Sequence, residues 1–368
     1  MNKCNKNKIW VIKIGTSIIS DKDRNISNDK IAKLAKQISK LISSGYGILI
    51  VSSGAILSGM NVLGMQNRPL DISQLQACAA VGQSHLMNIY SKIFKKFNYN
   101  VAQILLTQDD FNYRKRYINA KNTIEVLLQK KVIPIINEND TISTEEIKVG
   151  DNDNLSAFVA TLIAAERLIL LTDVDYFYEY SEKEKTKKPV SVITHITDTI
   201  RKSAGSAADS TRIGGMLTKV SAAEMVTKAG IYCHVMNGNK KDILLSLLEN
   251  KSEGTVFLPS NIKTNQRKHW IAYATKSKGM LLVDTGAYDA INSKNRSLLA
   301  TGIRHIIGVF NEGDIVSIAM ENRKIFAKGV TNYSSGDLNK IKGLKSDEIK
   351  KVCPVCREVI HRDNLAII

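Results

Sequence analysis

Long apolar runs are missing from this sequence: no uninterrupted stretch approaches the roughly 18 residues that a membrane span needs. The opening MNKCNKNKIWVIKIG has neither the apolar core nor the small-residue cleavage site of a secretory signal, so none is expected. Cysteine is sparse. Five residues, an odd number scattered over 368 positions, do not make a disulfide framework, and a reducing cytoplasm suits them best. Two nucleotide motifs are absent as well. There is no GxxxxGK[ST] loop, and no GxGxxG at a strand–helix turn, which removes support for a nicotinamide-dependent dehydrogenase. Internal repeats and long low-complexity tracts are also missing.

Negative charge is scarce too, with 35 Asp+Glu against 52 Lys+Arg and a formal net charge of +17. Such a balance points to a nucleic acid or an anionic substrate, or to a bias spread over the whole surface. The excess is diffuse here, and the tail after residue 260 is only its denser part. Against that background, VIPIINENDTISTEEIKVGDNDNLSA (132–157) stands out. It holds Glu138, Asp140, Glu145, Glu146, Asp151 and Asp153, interleaved with Asn137, Asn139, Asn152 and Asn154, and Lys148 is its one cation. VIPII reads as a buried strand. LSAFVATLIAAE reads as a helix, with Leu155, Phe158, Val159, Leu162 and Ile163 at helical spacing and the Asn/Asp run as its cap. Polar residues between a strand's C-terminal end and a helix start sit where open α/β sheets bind ligands.

The first two-thirds of the chain alternates in this way. KIWVIKI, YGILIVSS, VAQILLT, VIPIINE, RLILLTDV and IYCHVMN read as strands apolar on both faces. Between them lie helix-like stretches, among them NDKIAKLAKQISKLISSG with an Asn cap and a Gly45 stop, and the long SQLQACAAVGQSHLMNIYSKIFKKF. The expectation is an open, mostly parallel sheet sandwiched by helices. The charged segment from Tyr178 to Val190 is expected as a solvated loop. After about Thr255 the segments become short, strand-like and Gly-punctuated, which predicts a small β-rich domain. The expected division is 1–260 for the catalytic domain and 276–368 for the β-rich one.

Several residues at strand ends have the chemistry to handle phosphate. Lys13 sits within the first apolar strand, with only Ile14 between it and Gly15-Thr16-Ser17, so its ammonium would lie beside exposed backbone N–H groups. Taken alone, it is equally a strand-edge lysine reaching water. SSGAI, from Ser52 to Ile56, supplies hydroxyls and a glycine at a helix start, and an N-cap would look the same. GGMLTK, from Gly214 to Lys219, again opens a helix with glycines and a lysine. LLTDV ends a strand in Thr172 and Asp173, placed to touch a ribose or base. Together, two lysines, two Gly-rich helix starts and an Asp/Asn cluster at one sheet edge suit phosphoryl transfer to an acid. Magnesium held mainly by nucleotide phosphates goes with that chemistry.

VIKIGTS, VSSGAI, QLQACAAVGQS, QILLT, NAKNT, PIINENDTISTEEIKVGDNDNLSA, LLTDV and GGMLTK, in this order, resemble the glutamate 5-kinase branch of the amino acid kinase family. The tail, with VDTGAYDAI, SLLATGI, EGDIVSI and the closing HRDNLAII, is similar to the PUA domain appended to bacterial forms. The resemblance implies an amino acid kinase-like fold followed by a PUA-like domain, and ATP-dependent phosphorylation of the γ-carboxylate of L-glutamate. It implies catalytic roles for Lys13 and Lys219, with Asp153 holding both lysines. Ser53, Asp140 and Asn152 match glutamate-binding positions. Lys13, Thr172, Asp173 and the run Ile213, Gly214, Gly215, Met216, Leu217, Thr218 and Lys219 match ATP-binding positions. A homo-oligomer, feedback by proline and a reductase that consumes the labile acyl phosphate belong to the same expectation, whereas RNA contact by the tail is not required. Arg212 and Ile213 before the glycines, and Tyr176 after Thr172-Asp173, depart from the family pattern on the nucleotide side.

Two other readings remain at this stage. One is a family member acting on a different acid or on a nucleotide. The other is an RNA-binding protein acting through its PUA-like domain, although no aromatic-basic platform is evident. CPVC (Cys353, Cys356) is a single CxxC near His361, and a four-ligand zinc site needs another ligand. His85 and His195 read as structural or surface residues.

Overall fold

The structure is a computed structural model that describes residues 8–142, 151–181, 186–205, 215–249, 251, 253–260, 268, 270–274, 277–344, 348–349 and 357–368. Contacts divide the chain into two units. One comprises the residues up to Asp110 with Arg114–Lys263, and the other Phe111–Tyr113 with Thr264–Ile368.

Among the described residues the first unit carries ten strands. They are β1 (Ile9–Ile14), β2 (Gly47–Ser52), β3 (Val101–Leu106), β4 (Ile133–Glu138), β5 (Arg167–Thr172), β6 (Phe177–Ser181), β7 (Thr186–Val190), β8 (Val192–Ile193), β9 (Tyr232–Asn237) and β10 (Thr255–Phe257). Its helices are α1 (Thr16–Ile19), α2 (Asn28–Ser43), α3 (Ala55–Val62), α4 (Ile72–Lys95), α5 (Gln108–Asn112, whose last two residues are grouped with the second unit) and α6 (Arg114–Gln129). They continue with α7 (Asp151–Leu162), α8 (Asp198–Gly205), α9 (Met216–Lys228) and α10 (Ile243–Ser246). Eight strands form one sheet in the order β3-β4-β2-β1-β5-β9-β10-β8. All pairs from β3 to β9 are parallel, and β10 runs antiparallel to β9.

Both faces of this sheet are covered, which is why β1 and β2 are buried at every position. Trp10, Ile12 and Ile14 pack in one cluster with Ile31, Leu34 and Ile38 of α2 and Leu86, Tyr90 and Phe94 of α4. The alternate residues of β1, including Lys13, face the other way, towards α7. Helices α3 and α4 cross at unusually short range. A Cβ on Gly59 would lie 1.8 Å from Cys78 O, and one on Gly82 would lie 1.9 Å from Ala55 O.

Three local expectations need correction. Helix α2 is capped by Ser27, whose hydroxyl accepts from Lys30 N, and Asn28 is the first helical residue. The Asp/Asn run 151–154 is itself the first turn of α7, where an acidic side chain meets the positive end of the helix. The charged segment expected as a loop forms the hairpin β6–β7, with Tyr178 opposite Pro189 and Glu179 opposite Lys188. Strand pairing with opposite charges across the ladder stabilises it although β7 is exposed.

The second unit has a five-stranded sheet. Its strands are β11 (Gly279–Val283), β12 (Ile303–Ile307), β13 (Ile315–Met320), β14 (Ile325–Val330) and β15 (Leu365–Ile367), in the order β12-β11-β13-β14-β15. Only β11 and β13 pair in parallel. Helices α11 (Thr285–Asn292) and α12 (Ser335–Ile341), capped by Asp284 and Ser334, add Ile291, Leu338 and Ile341 to its core. The sequence reading had anticipated only strands there. Within the same unit, Trp270 Nε1 donates to Phe111 O at 2.6 Å. Cys353 and Cys356 lie outside the described residues, and no helix among those described is long and apolar enough to cross a membrane.

Candidate active site

Parallel pairing brings the ends of five strands to one edge. Ile14 is level with Ser52 and Leu171, and Thr172 with Asn237, while β4 ends at Glu138 beside β2. Ser53 is tied in by its N–H, which donates to Ile14 O at 3.2 Å, and Gly54 then turns into α3 with φ +97, a conformation that favours glycine. Helices α7 and α9 pack together, and their first turns meet at this edge. Helix α9 starts at Gly215, which has no side chain to cap its first N–H groups. Such a helix start suits an anion.

A buried charge cluster lies between them. Lys13 Nζ is 2.7 Å from Asp153 Oδ1, and Lys219 Nζ is 3.2 Å from Asp153 Oδ2. Thr218 Oγ1 lies 2.8 Å from the same Oδ2 and 2.9 Å from Gly215 O, both acceptors. Asp153 is fully buried, and Lys13 and Lys219 nearly so. Burial pushes the Asp153 carboxyl up, but the two ammonium groups and their hydrogen bonds outweigh it and hold the group below the usual carboxylate range. Burial likewise pushes the Lys13 ammonium down. Asp153 works against that shift, and Lys219 adds to it. Two cations share one anion in a dry site, so the cluster carries a surplus positive charge that an incoming phosphoryl group would neutralise.

A second, uncharged network adjoins it. Asn152 Nδ2 lies 3.0 Å from each of Ser52 O, Ser53 Oγ and Asn137 Oδ1. Asn137 Nδ2 donates to Gln83 Oε1 at 2.9 Å. Ser52 Oγ is 2.9 Å from the Tyr90 hydroxyl, whose pKa burial raises to about 12. Asp140 is half-buried in the turn just beyond β4, two residues from Glu138.

The structure thus brings Lys13, Asp153, Lys219, Thr218, Ser53 and Asn152 to one edge. Thr172 ends β5 there and Asp173 follows it, with Thr172 Oγ1 3.3 Å from Asp173 Oδ1. Met216 begins α9, and Leu217 is half-exposed. Ile213 and Gly214, like Arg212, lie outside the described residues. Tyr176 carries Lys240 Nζ 5.7 Å from its ring centre, and Lys240 also pairs with Asp175 at 3.2 Å. His85 Nδ1 is 2.9 Å from Ser58 Oγ, a link between α4 and α3, and His195 is exposed. Sequence reasoning missed Gln83 and gave Asn137 no role. The signal for Gln83 was a glutamine on the buried stripe of α4, between Ala79 and Leu86.

A profile described as Amino acid kinase family matches residues 8–237, and one described as PUA domain matches residues 279–353. Glutamate 5-kinases from Dictyoglomus turgidum, Syntrophotalea carbinolica and a Thermoanaerobacter species are 43%, 42% and 40% identical to the chain. Each match covers 97% of this chain, and 96%, 96% and 97% of the respective relative. With that identity held over 97% of the chain, and with the lysines, carboxylate and amides gathered at one sheet edge, the chain belongs to the glutamate 5-kinase branch of the amino acid kinase family.

Proposed function

We propose that the protein transfers the terminal phosphoryl group of ATP to the γ-carboxylate of L-glutamate, forming L-glutamyl 5-phosphate on the route to proline. The observation that carries this reading is the buried Lys13–Asp153–Lys219 cluster at the meeting of two helix starts. Phosphoryl transfer is catalysed mainly by positioning and by neutralising charge on the equatorial oxygens. Lys13 and Lys219 supply that charge, and Asp153 fixes the separation between them. Glycines and N–H groups at the start of α9, with Thr172 and Asp173, form the nucleotide side. Ser53, Asp140 and Asn152 form the glutamate side.

Magnesium would be carried on the nucleotide phosphates, neutralising charge there, because both oxygens of Asp153 are already committed to ammonium groups and a hydroxyl. The acyl phosphate product is a reactive mixed anhydride, which supports a reductase that consumes it promptly. A cytoplasmic location, a homo-oligomer and feedback by proline complete the same reading. We assign chemistry to the first unit, taken as residues 1–260, and no catalytic role to residues 276–368.

The decisive assay is glutamate-dependent ADP release with the product trapped as its hydroxamate. A panel of other acids and nucleoside monophosphates run alongside separates glutamate from a different acceptor. ADP release that ignores glutamate but follows another acceptor would overturn the substrate assignment.

A further inference from the structure

The uncharged network has a direction. Glu138 N donates to Asn137 Oδ1 at 2.9 Å, and a backbone N–H can only donate. The Asn137 oxygen is therefore the acceptor, and its Nδ2 must be the group that donates to Gln83 Oε1. At the other end, Ser52 O is a carbonyl and can only accept, so the atom of Asn152 facing it and Asn137 Oδ1 must be Nδ2. Two backbone groups, Glu138 N at Asn137 and Ser52 O at Asn152, thus fix which atom is oxygen and which is nitrogen in each carboxamide of the relay.

One atom is left over. Asn152 Oδ1 is buried and has no hydrogen-bond partner among the described residues. A buried acceptor without a donor is costly, so a ligand that brings a donor is favoured there. The donor that L-glutamate offers, once its carboxylates are ionised, is its α-ammonium group. Resting on the glutamate reading above, we propose that Gln83 is a positioning residue for substrate selection. Through Asn137 it holds the Asn152 carboxamide so that Oδ1 is presented to the substrate's α-ammonium group.

Gln83 suits this task because it comes from a separate element. It is 8% exposed on α4, and Asn137 is 2% exposed on β4. Without the Gln83 oxygen, Asn137 Nδ2 becomes a buried donor with no partner. Its carboxamide then gains by rotating or shifting towards another acceptor, and Asn152 Nδ2 loses one of the three acceptors that hold it. Among the described residues no hydrogen bond joins the Lys13, Asp153 and Lys219 cluster to this relay, so a loss at Gln83 should be read in KM more than in kcat.

The test compares Gln83→Met, which keeps the length and loses the acceptor, with Gln83→Glu, which keeps an acceptor. KM and kcat are measured for L-glutamate, together with Ki for glutarate, which has both carboxylates but no amine, as a competitive inhibitor. For Gln83→Met the expected KM for glutamate rises roughly tenfold, the effect of one disrupted buried hydrogen bond. Its kcat changes less than about twofold, the glutarate Ki stays put, and Gln83→Glu restores most of the KM. Equal rises in glutamate KM and glutarate Ki would show general distortion and overturn the proposal, as would an unmoved KM. Should Gln83→Met not fold, Gln83→Glu decides alone: a tenfold loss of glutamate affinity with the acceptor retained also overturns it. Wild-type protein inactive on glutamate would overturn the substrate reading and this proposal together, whereas an active wild type with an unmoved variant KM removes only the latter.

Discussion

Lys13 Nζ and Asp153 Oδ1 are in ionic contact at 2.7 Å, and neither side chain is more than 8% exposed. Asp153 thereby stands between two lysines that come from opposite ends of the first unit's sequence. The carboxylate does not need to touch substrate to matter, because it fixes where two positive charges stand.

Lys13→Ala and Lys219→Ala are each expected to lower kcat by roughly 10²–10³-fold, the usual effect of deleting one donor to developing charge. The KM for glutamate should move far less. Steady-state kinetics with glutamate and ATP varied separately checks this, and near-wild-type turnover in either variant would remove that lysine from the chemistry.

Asp153→Asn should destabilise the fold more than Lys13→Ala does. Removing Lys13 leaves the carboxylate paired with Lys219, whereas neutralising Asp153 leaves two buried ammonium groups facing each other. Breaking a buried pair this way costs about 3–5 kcal/mol. Urea unfolding of the two variants gives the comparison, and a smaller loss for Asp153→Asn would contradict the arrangement.

Asp140→Ala is expected to raise the glutamate KM with kcat little changed, if its acidic group, two residues beyond β4, pairs with the substrate's ammonium as proposed. The loss should be about 1–3 kcal/mol, the size of one unsatisfied charged hydrogen bond. An unchanged KM would take Asp140 out of the substrate site.

His234 gives a pH signature away from the site. Arg167 Nη1 lies 3.0 Å from His234 Nε2, and because arginine only donates, Nε2 accepts and the ring is neutral. Burial, with the nearby guanidinium adding to it, lowers the pKa to about 3. The unfolded ring titrates near 6.5. The contribution to stability is therefore fully present above about pH 6.5 and declines as pH falls towards 3, because the unfolded chain takes up a proton that the fold refuses. His234→Gln should flatten the dependence of the urea midpoint on pH between 6.5 and 4, and an unaltered slope would assign it to other groups.

A chain ending at Ser260 should still make the acyl phosphate, with a lower Tm. Phe111 is fully buried and grouped with the second unit, where its carbonyl accepts from Trp270. The truncated chain loses that partner but no residue assigned to chemistry. If it is folded by circular dichroism yet inactive, residues 261–368 must help to order the site.

Much of this was legible before the structure, for identifiable reasons. Strands such as IWVIKI are apolar on both faces, and only a sheet covered on both sides accepts them. Lys13 was conspicuous as a charge in such a strand, and the Asp/Asn run as acid in a basic chain. The β6–β7 hairpin was not legible, because its lysines and glutamates describe its exposure and not its pairing. The place of the Asp/Asn run inside α7 was missed because residues that cap helices also occupy first turns. Gln83 escaped because a single glutamine on an apolar helical stripe looks like a tolerated exception. Its partner, Asn137, lies 54 positions away, and only tertiary structure joins them.

The crossing of α3 and α4 has an evolutionary consequence. Helix α3 begins directly after Ser53 and Gly54, and Gly82 is the neighbour of Gln83, so the crossing sets the distance between two arms of the proposed glutamate site. At both Gly59 and Gly82 the obstacle to a side chain is a backbone carbonyl. No replacement on the opposite helix can trim a carbonyl away, so neither glycine has a second-site suppressor in its immediate contacts. In a genetic screen, lesions at these two positions should surface as defects in glutamate affinity, and revertants should restore the original glycine.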